Sequence, residues 1–175
     1  MRIKLLKNYL IHFTIFPTLM FLGGCTSIVE LIEEKVTRKC DSNVRSDNWH
    51  NCKGYQSFSS GDSFQGYFRN GKRNGEGIYK WSNGDVYKGE WVNNKRNGEG
   101  TMTWSNGDIY KGEWSNGNRT GEGTYKWSNG DEYKGEWSNG KRNGEGTLTW
   151  SNGDIYKGEW LNDNRSGLGT FIKAN

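Results

Sequence analysis

Aspartate and serine recur in this chain at one fixed interval, and that regularity bears on what chemistry they can do. Asp62, Asp85, Asp108, Asp131 and Asp154 stand 23 residues apart, and Ser82, Ser105, Ser128 and Ser151 keep the same period. A pair of carboxylates can hydrolyse a glycosidic bond when one protonates the leaving oxygen and the other attacks or activates water. Five copies, each directly after a turn glycine and four of them after Asn-Gly, are far better explained as residues that stabilise turns. The serines have no base beside them to make a nucleophile. His-Glu-x-x-His, Gly-x-Ser-x-Gly and Walker-type phosphate loops are all missing. The expectation is a non-enzymatic chain with no cofactor, no metal and no catalytic residue.

Two other constellations suit binding. Phe64, Tyr87, Tyr110, Tyr133 and Tyr156 form one aromatic row, and Phe68, Trp91, Trp114, Trp137 and Trp160 form another. Lys72/Arg73, Lys95/Arg96, Arg119, Lys141/Arg142 and Arg165 make a basic stripe with one step per period. The candidate binding residues are therefore Tyr87, Trp91, Lys95, Arg96, Tyr110, Trp114, Arg119, Tyr133, Trp137, Lys141 and Arg142. Rings would stack on sugar faces, and the cations would meet anionic phospholipid headgroups. Each has a plainer reading. The rings are the only core material available and can pack on one another. The basic residues can be solvated loop residues, because interleaved Asp and Glu leave the repeats nearly neutral.

The elements that hold these residues follow from composition and period. Of 175 residues, 31% are hydrophobic and 14% aromatic, with 26 glycines and one proline. Conventional helical and α/β domains draw their cores from Leu, Ile, Val and Ala, which are scarce here. Nine Trp and nine Tyr argue against disorder, and the glycines do not fall on every third residue as in collagen.

From Gly61 to Asn175 the chain divides into five blocks of 23 residues, and Asn51–Phe58 is half a block in phase with them. Each block holds two alternating segments, the mark of half-buried strands. Tyr87, Gly89 and Trp91 point one way, and Lys88 and Glu90 the other. Gly98, Gly100, Met102 and Trp104 share a face opposite Glu99, Thr101 and Thr103. Of 18 aromatics between residues 61 and 175, 17 fall on the one face, Tyr67 being the exception. Asn83-Gly84, Asn106-Gly107, Asn129-Gly130 and Asn152-Gly153 read as type I′ hairpin turns. Segments such as Asn93–Asn97 read as the longer loops. The expected fold is all-β: an elongated single-layer antiparallel meander of about ten strands, roughly 50 Å long at about 4.8 Å per strand.

Gly-Asp-x-Tyr-x-Gly-Glu-Trp followed by Asn-Gly-Lys-Arg-x-Gly-x-Gly-Thr resembles the MORN repeat, a β-hairpin unit of this length. The resemblance covers residues 61–175 fully and 51–60 as a half unit. It implies a scaffold or membrane-associated role and self-association through terminal repeats, so a homo-oligomer is among the expected partners. The first block departs from the pattern at Phe64, Gln65, Tyr67 and Phe68, and the last at Leu168 and Lys173. Atypical terminal repeats are expected of caps.

Residues 1–24 read as a signal peptide. Arg2, Lys4 and Lys7 precede an apolar run from Tyr9 to Leu22, which is short for a membrane span. Leu22-Gly23-Gly24-Cys25 resembles the lipobox of bacterial lipoproteins, which implies cleavage before Cys25 and an anchor of acyl chains there. An ordinary secretory signal with an incidental cysteine is the alternative. Thr26, in place of the Asp that retains lipoproteins at the inner membrane, points to the outer membrane of a two-membrane cell. Residues 25–50 would then be a lipidated N-terminus and linker.

With Cys25 acylated, Cys40 and Cys52 remain as a pair, and an oxidising envelope favours their disulfide, worth roughly 3 kcal/mol. Zinc is weaker, since only His50 lies nearby and the ligand set is incomplete. Removing the signal leaves 21 basic against 20 acidic residues, so nucleic-acid binding is not expected. Ser27–Val36 carries a capping-box spacing and one apolar helical face. Two functions follow: a membrane-anchored scaffold for an unidentified envelope protein, or a direct binder of anionic phospholipid or glycan.

Overall fold

Strict alternation of Tyr, Gly and Trp against Lys, Glu and Thr makes each half of the 23-residue unit a strand with one apolar face. In the computed structural model, which describes residues 38–175, this yields one sheet. The signal segment, Cys25 and the helix expected over Ser27–Val36 lie outside the described residues.

The strands run β1 (Cys52–Ser57), β2 (Ser63–Arg69), β3 (Lys72–Lys80), β4 (Val86–Val92), β5 (Lys95–Thr103) and β6 (Ile109–Ser115). They continue as β7 (Asn118–Lys126), β8 (Glu132–Ser138), β9 (Lys141–Thr149), β10 (Ile155–Leu161) and β11 (Asn164–Ile172). The eleven pair in chain order, antiparallel throughout where residue pairing is defined, as the alternation and turn spacing lead one to expect. The only helical element among the described residues is a 3-10 turn at Ser46–Asn48.

The two kinds of turn are the reverse of the sequence expectation. Tight two-residue turns close β2–β3, β4–β5, β6–β7, β8–β9 and β10–β11. Their central residues have positive φ at both positions, as type I′ requires: Asn70 and Gly71 at 51° and 68°, Asn93 and Asn94 at 48° and 70°. At Asn83-Gly84 and its equivalents only the glycine has positive φ, 94° at Gly84. There the Gly84 N–H donates to the Trp81 carbonyl at 3.0 Å, and the Trp81 N–H to the Asp85 carbonyl at 2.9 Å. This is a three-residue loop with a left-handed glycine closing it. The Asn83 side chain accepts the Asp85 N–H at 3.0 Å, which holds the asparagine on the right-handed side of the turn.

A second difference sits at Glu90. Gly89 pairs with Gly100, but the next pair is Trp91 with Arg96, so one residue on β4 faces three on β5. Gly98 takes φ +67° in the bulge, and the Glu90 carboxylate accepts the Glu99 N–H at 3.3 Å. The same bulge recurs at Glu113 and Glu136. Because Arg96 pairs with Trp91, its side chain lies on the aromatic face, on a strand rather than in a loop.

At the N-terminal end a loop closed by the Cys40–Cys52 disulfide folds over the array. Segment 38–40 bonds the edge of β1, with Cys40 N–H to Lys53 carbonyl at 2.9 Å and Lys53 N–H to Arg38 carbonyl at 2.8 Å. Trp49 in this loop is buried edge-on against Phe68, with centroids 4.8 Å apart. Its indole N–H reaches the carbonyls of Asp41 and Val44. Replacing Cys40 and Cys52 by serine is expected to remove about 2–3 kcal/mol, chiefly by freeing the unfolded loop. Hydrogen exchange should show the loss concentrated in β1 and β2, with β8–β10 unchanged.

Candidate functional site

The aromatic face is a closed ladder. Each row-two tryptophan stands edge-on between two row-one rings: Trp114 lies 5.3 Å from Tyr87 and 5.2 Å from Tyr110. Trp137 lies 5.2 Å from Tyr110 and 5.3 Å from Tyr133. Trp91 and Trp160 extend the series to Phe64 and Tyr156. Each such pair adds about 0.5–1.5 kcal/mol beyond area burial. The indole N–H groups of Trp91, Trp114, Trp137 and Trp160 donate to the carbonyls of Gly77, Gly100, Gly123 and Gly146, fourteen residues back.

Packing of the ladder leaves the candidate rings little surface. Tyr87, Tyr110 and Tyr133 are fully buried, and Trp91, Trp114 and Trp137 are 3–5% exposed. Burial holds the three phenols protonated, well above the usual tyrosine range. Each hydroxyl donates to a backbone carbonyl on its own strand, Tyr110 to Glu113 at 3.1 Å.

The basic stripe divides into two populations. The guanidinium carbons of Arg73, Arg96, Arg119 and Arg142 lie over Trp91, Trp114, Trp137 and Trp160 of the next repeat, at 4.6, 4.2, 4.3 and 4.3 Å from the ring centroids. Each guanidinium also donates to a carbonyl of the next tight turn, Arg96 to Gly117 at 2.8 Å and Arg142 to Asp163 at 2.8 Å. Burial pushes the Arg96 and Arg119 guanidinium groups down from their ordinary value. Lys72, Lys95 and Lys141 remain exposed beside the turns.

Arg96→Lys should therefore cost about 1–2 kcal/mol, since an ammonium cannot cover the Trp114 ring as the planar guanidinium does. Lys95→Ala should stay within about 0.5 kcal/mol of wild type. Denaturant unfolding of the two variants tests the division.

The recurrent aspartates tie successive turns together. Asp108 accepts the Ser128 N–H and the Tyr125 hydroxyl, both at 2.8 Å. Where Met102 and Leu148 replace the tyrosine, Asp85 and Asp131 take the Asn83 and Asn129 amides instead. Burial alone would raise the Asp108 carboxyl, but its hydrogen bonds from Ser128, Tyr125 and Asn106 outweigh that and hold it below the ordinary value.

One row of rings that the sequence places on the aromatic face was not among the candidate binding residues. Trp81, Trp104, Trp127 and Trp150 stand at the strand ends beside the three-residue loops and are only half-buried. Trp81 leans on Tyr79 at 4.5 Å, and Trp127 on Tyr125 at 4.6 Å. None of their four indole N–H groups has an acceptor among the described residues, and none is buried. The signal in the sequence was position: these tryptophans open the Trp-Ser-Asn-Gly-Asp loop, where covering strands run out.

The reverse face is polar, its lysines and glutamates exposed and its threonines half-buried. Lys88, Lys111, Lys134 and Lys157 alternate with threonines in one row, paired through Thr101, Thr124 and Thr147. Beside it Glu76 faces Glu90, Glu99 faces Glu113, and Glu122 faces Glu136. A groove of about 610 Å³ opens on this face near Lys53, Tyr67, Glu76, Lys88 and Glu99. No group of His, Cys, Asp and Glu suited to a metal ion occurs among the described residues.

The MORN repeat family model matches residues 64–86, 87–109, 110–132, 133–155 and 156–175. Its units start three residues after the blocks read from Gly61, on the successive rings of the first aromatic row, Phe64, Tyr87, Tyr110, Tyr133 and Tyr156. No curated protein matches the chain. Five consecutive matched units, the first four each closing a phenylalanine or tyrosine ring against the tryptophan of the next, make this chain a member of the MORN-repeat family.

Proposed function

We propose that this MORN-repeat chain is a non-enzymatic, membrane-anchored lipoprotein that acts as a protein-interaction scaffold in the bacterial envelope. One observation carries the scaffold reading. Apart from the half-buried tryptophans at the loop edge, the apolar face is consumed by contacts between repeats, leaving the reverse face as a regular pattern of exposed Lys and Glu with half-buried Thr on a continuous sheet. A surface repeated at every hairpin is suited to a partner that contacts several repeats at once. The lipobox-like Leu22-Gly23-Gly24-Cys25 supports the anchor, and the Cys40–Cys52 disulfide suits an oxidising compartment.

Photo-crosslinking residues placed at Lys111 and Glu113 in living cells test the scaffold. Discrete protein adducts at these positions and not at Lys72 are expected. Nothing beyond background at either would count against the reading. Cys25→Ser should release the protein from the membrane fraction. The exposed Lys72, Lys95 and Lys141 support a second membrane contact, with anionic headgroups, which salt-sensitive vesicle sedimentation would reveal.

A further inference from the structure

We propose that the row Trp81, Trp104, Trp127 and Trp150 is a binding edge for an extended β-1,4-linked glycan, one indole to each disaccharide. The proposal goes beyond the scaffold reading and does not depend on it. Three properties of the row point to this ligand.

The first is repeat distance. One tryptophan is contributed by every second strand, so successive indoles lie roughly 9.6 Å apart along the array. An extended β-1,4-linked chain turns over every second sugar and shows the same face once per disaccharide, a length close to this step. Lipid headgroups and fully extended peptides, which repeat about every 6.8 Å, do not share it; a polyproline helix, at about 9.3 Å per turn, does, and a proline-rich peptide that binds these tryptophans in preference to chitin would overturn the proposal.

The second is the state of the rings. The buried tryptophans Trp91, Trp114, Trp137 and Trp160 spend their N–H groups on backbone carbonyls and their surfaces on neighbouring rings. The edge row keeps surface open and its four N–H donors unused among the described residues. A half-open indole with a free donor offers a stacking surface for the C–H face of a sugar and a hydrogen bond for its hydroxyls.

The third is charge. Asp62, Asp85, Asp108, Asp131 and Asp154 line this same edge, with the exposed hydroxyls of Ser82, Ser105, Ser128 and Ser151 beside them. Five carboxylates repel a phosphate-bearing surface and leave an uncharged sugar chain unaffected. Anionic lipid is therefore the poorer occupant here: Lys80, Lys126 and Lys173 stand against the five aspartates on this edge, Lys126 already paired with Glu132 at 2.9 Å, while Lys72, Lys95 and Lys141 lie on the opposite edge, beside the tight turns.

The test uses the full-length protein in detergent, with chitin beads as the solid probe and chito-oligosaccharides of increasing length in solution. Retention on chitin and not on α-linked dextran is expected, with tryptophan emission shifting on titration. Affinity should rise with each disaccharide added until all four rings are engaged. Loss of each ring should weaken binding about threefold to tenfold, the scale of one aromatic contact. The double variant Trp104→Ala/Trp127→Ala should thus bind at least about tenfold more weakly.

Near-ultraviolet circular dichroism from the buried ladder checks that the variant is folded. If it is not, Trp104→Phe/Trp127→Phe keeps the packing on Tyr125 and should still bind more weakly than wild type. No retention on chitin, affinity flat beyond one disaccharide, or a folded variant binding as wild type would each overturn the proposal. Binding of anionic vesicles through these same tryptophans would overturn it too.

Discussion

Trp114→Ala is expected to cost about 4 kcal/mol and to break the array's unfolding into two steps. The ring is 4% exposed and touches both Tyr87 and Tyr110 edge-on. It also carries the Arg96 guanidinium at 4.2 Å and donates to the Gly100 carbonyl at 3.2 Å. Its removal leaves a cavity and an uncovered cation at the same junction and takes one hydrogen bond from the Gly100 carbonyl. In an array each repeat is stabilised mainly by its neighbours, so weakening one junction uncouples the units on either side. Equilibrium denaturation followed by hydrogen exchange should show β1–β5 and β7–β11 losing protection at different denaturant concentrations. A single coincident transition with a loss under about 1 kcal/mol would show that the ring is not what couples the repeats.

Gly112→Val is expected to be about as damaging, about 3 kcal/mol or more, for a different reason. Gly112 pairs with Gly123 across β6 and β7. A Cβ at Gly112 would stand 2.5 Å from the Glu122 carbonyl oxygen, 2.6 Å from the Gly123 Cα and 2.8 Å from the Tyr110 hydroxyl. Two of these are backbone atoms of the neighbouring strand and cannot move without opening the ladder. The glycine pair is the floor on which the Tyr110 ring lies, so the substitution also lifts a buried ring. Gly117→Ala offers the comparison. It has φ +93° but open space around it, so it should cost only the backbone strain, about 1 kcal/mol. Thermal unfolding of the two variants separates crowding from conformation; equal losses would remove the argument from close approach.

Much of this arrangement is legible in the residues because a strand alternates with period two. Once Tyr87, Gly89 and Trp91 are read as one side of β4, the burial of those rings follows, as does the exposure of Lys88. Five copies in phase leave the order of the strands no freedom, since short connections can only join neighbours. The half block at Asn51–Phe58 likewise leads to β1.

What stayed hidden has a common cause: it depends on how a repeat meets the next one. Asn-Gly occurs at Asn83-Gly84 and at Asn116-Gly117, and only the second becomes a type I′ turn. The choice rests with the bulge opposite Glu90, which moves Arg96 into register with Trp91. The same bulge turns Arg96 from a solvated loop residue into a cover for the ladder, a shift of face that no alternation within one segment records. Trp104 and Trp114 are alike in type and in face. One is half-open and the other closed, because Trp114 is roofed by Arg96 and flanked by rings of two repeats, while Trp104 stands where the strands end. Local pattern and period were therefore enough for strands, faces and order, whereas register and exposure were set by packing between units 23 residues apart, which no single unit contains.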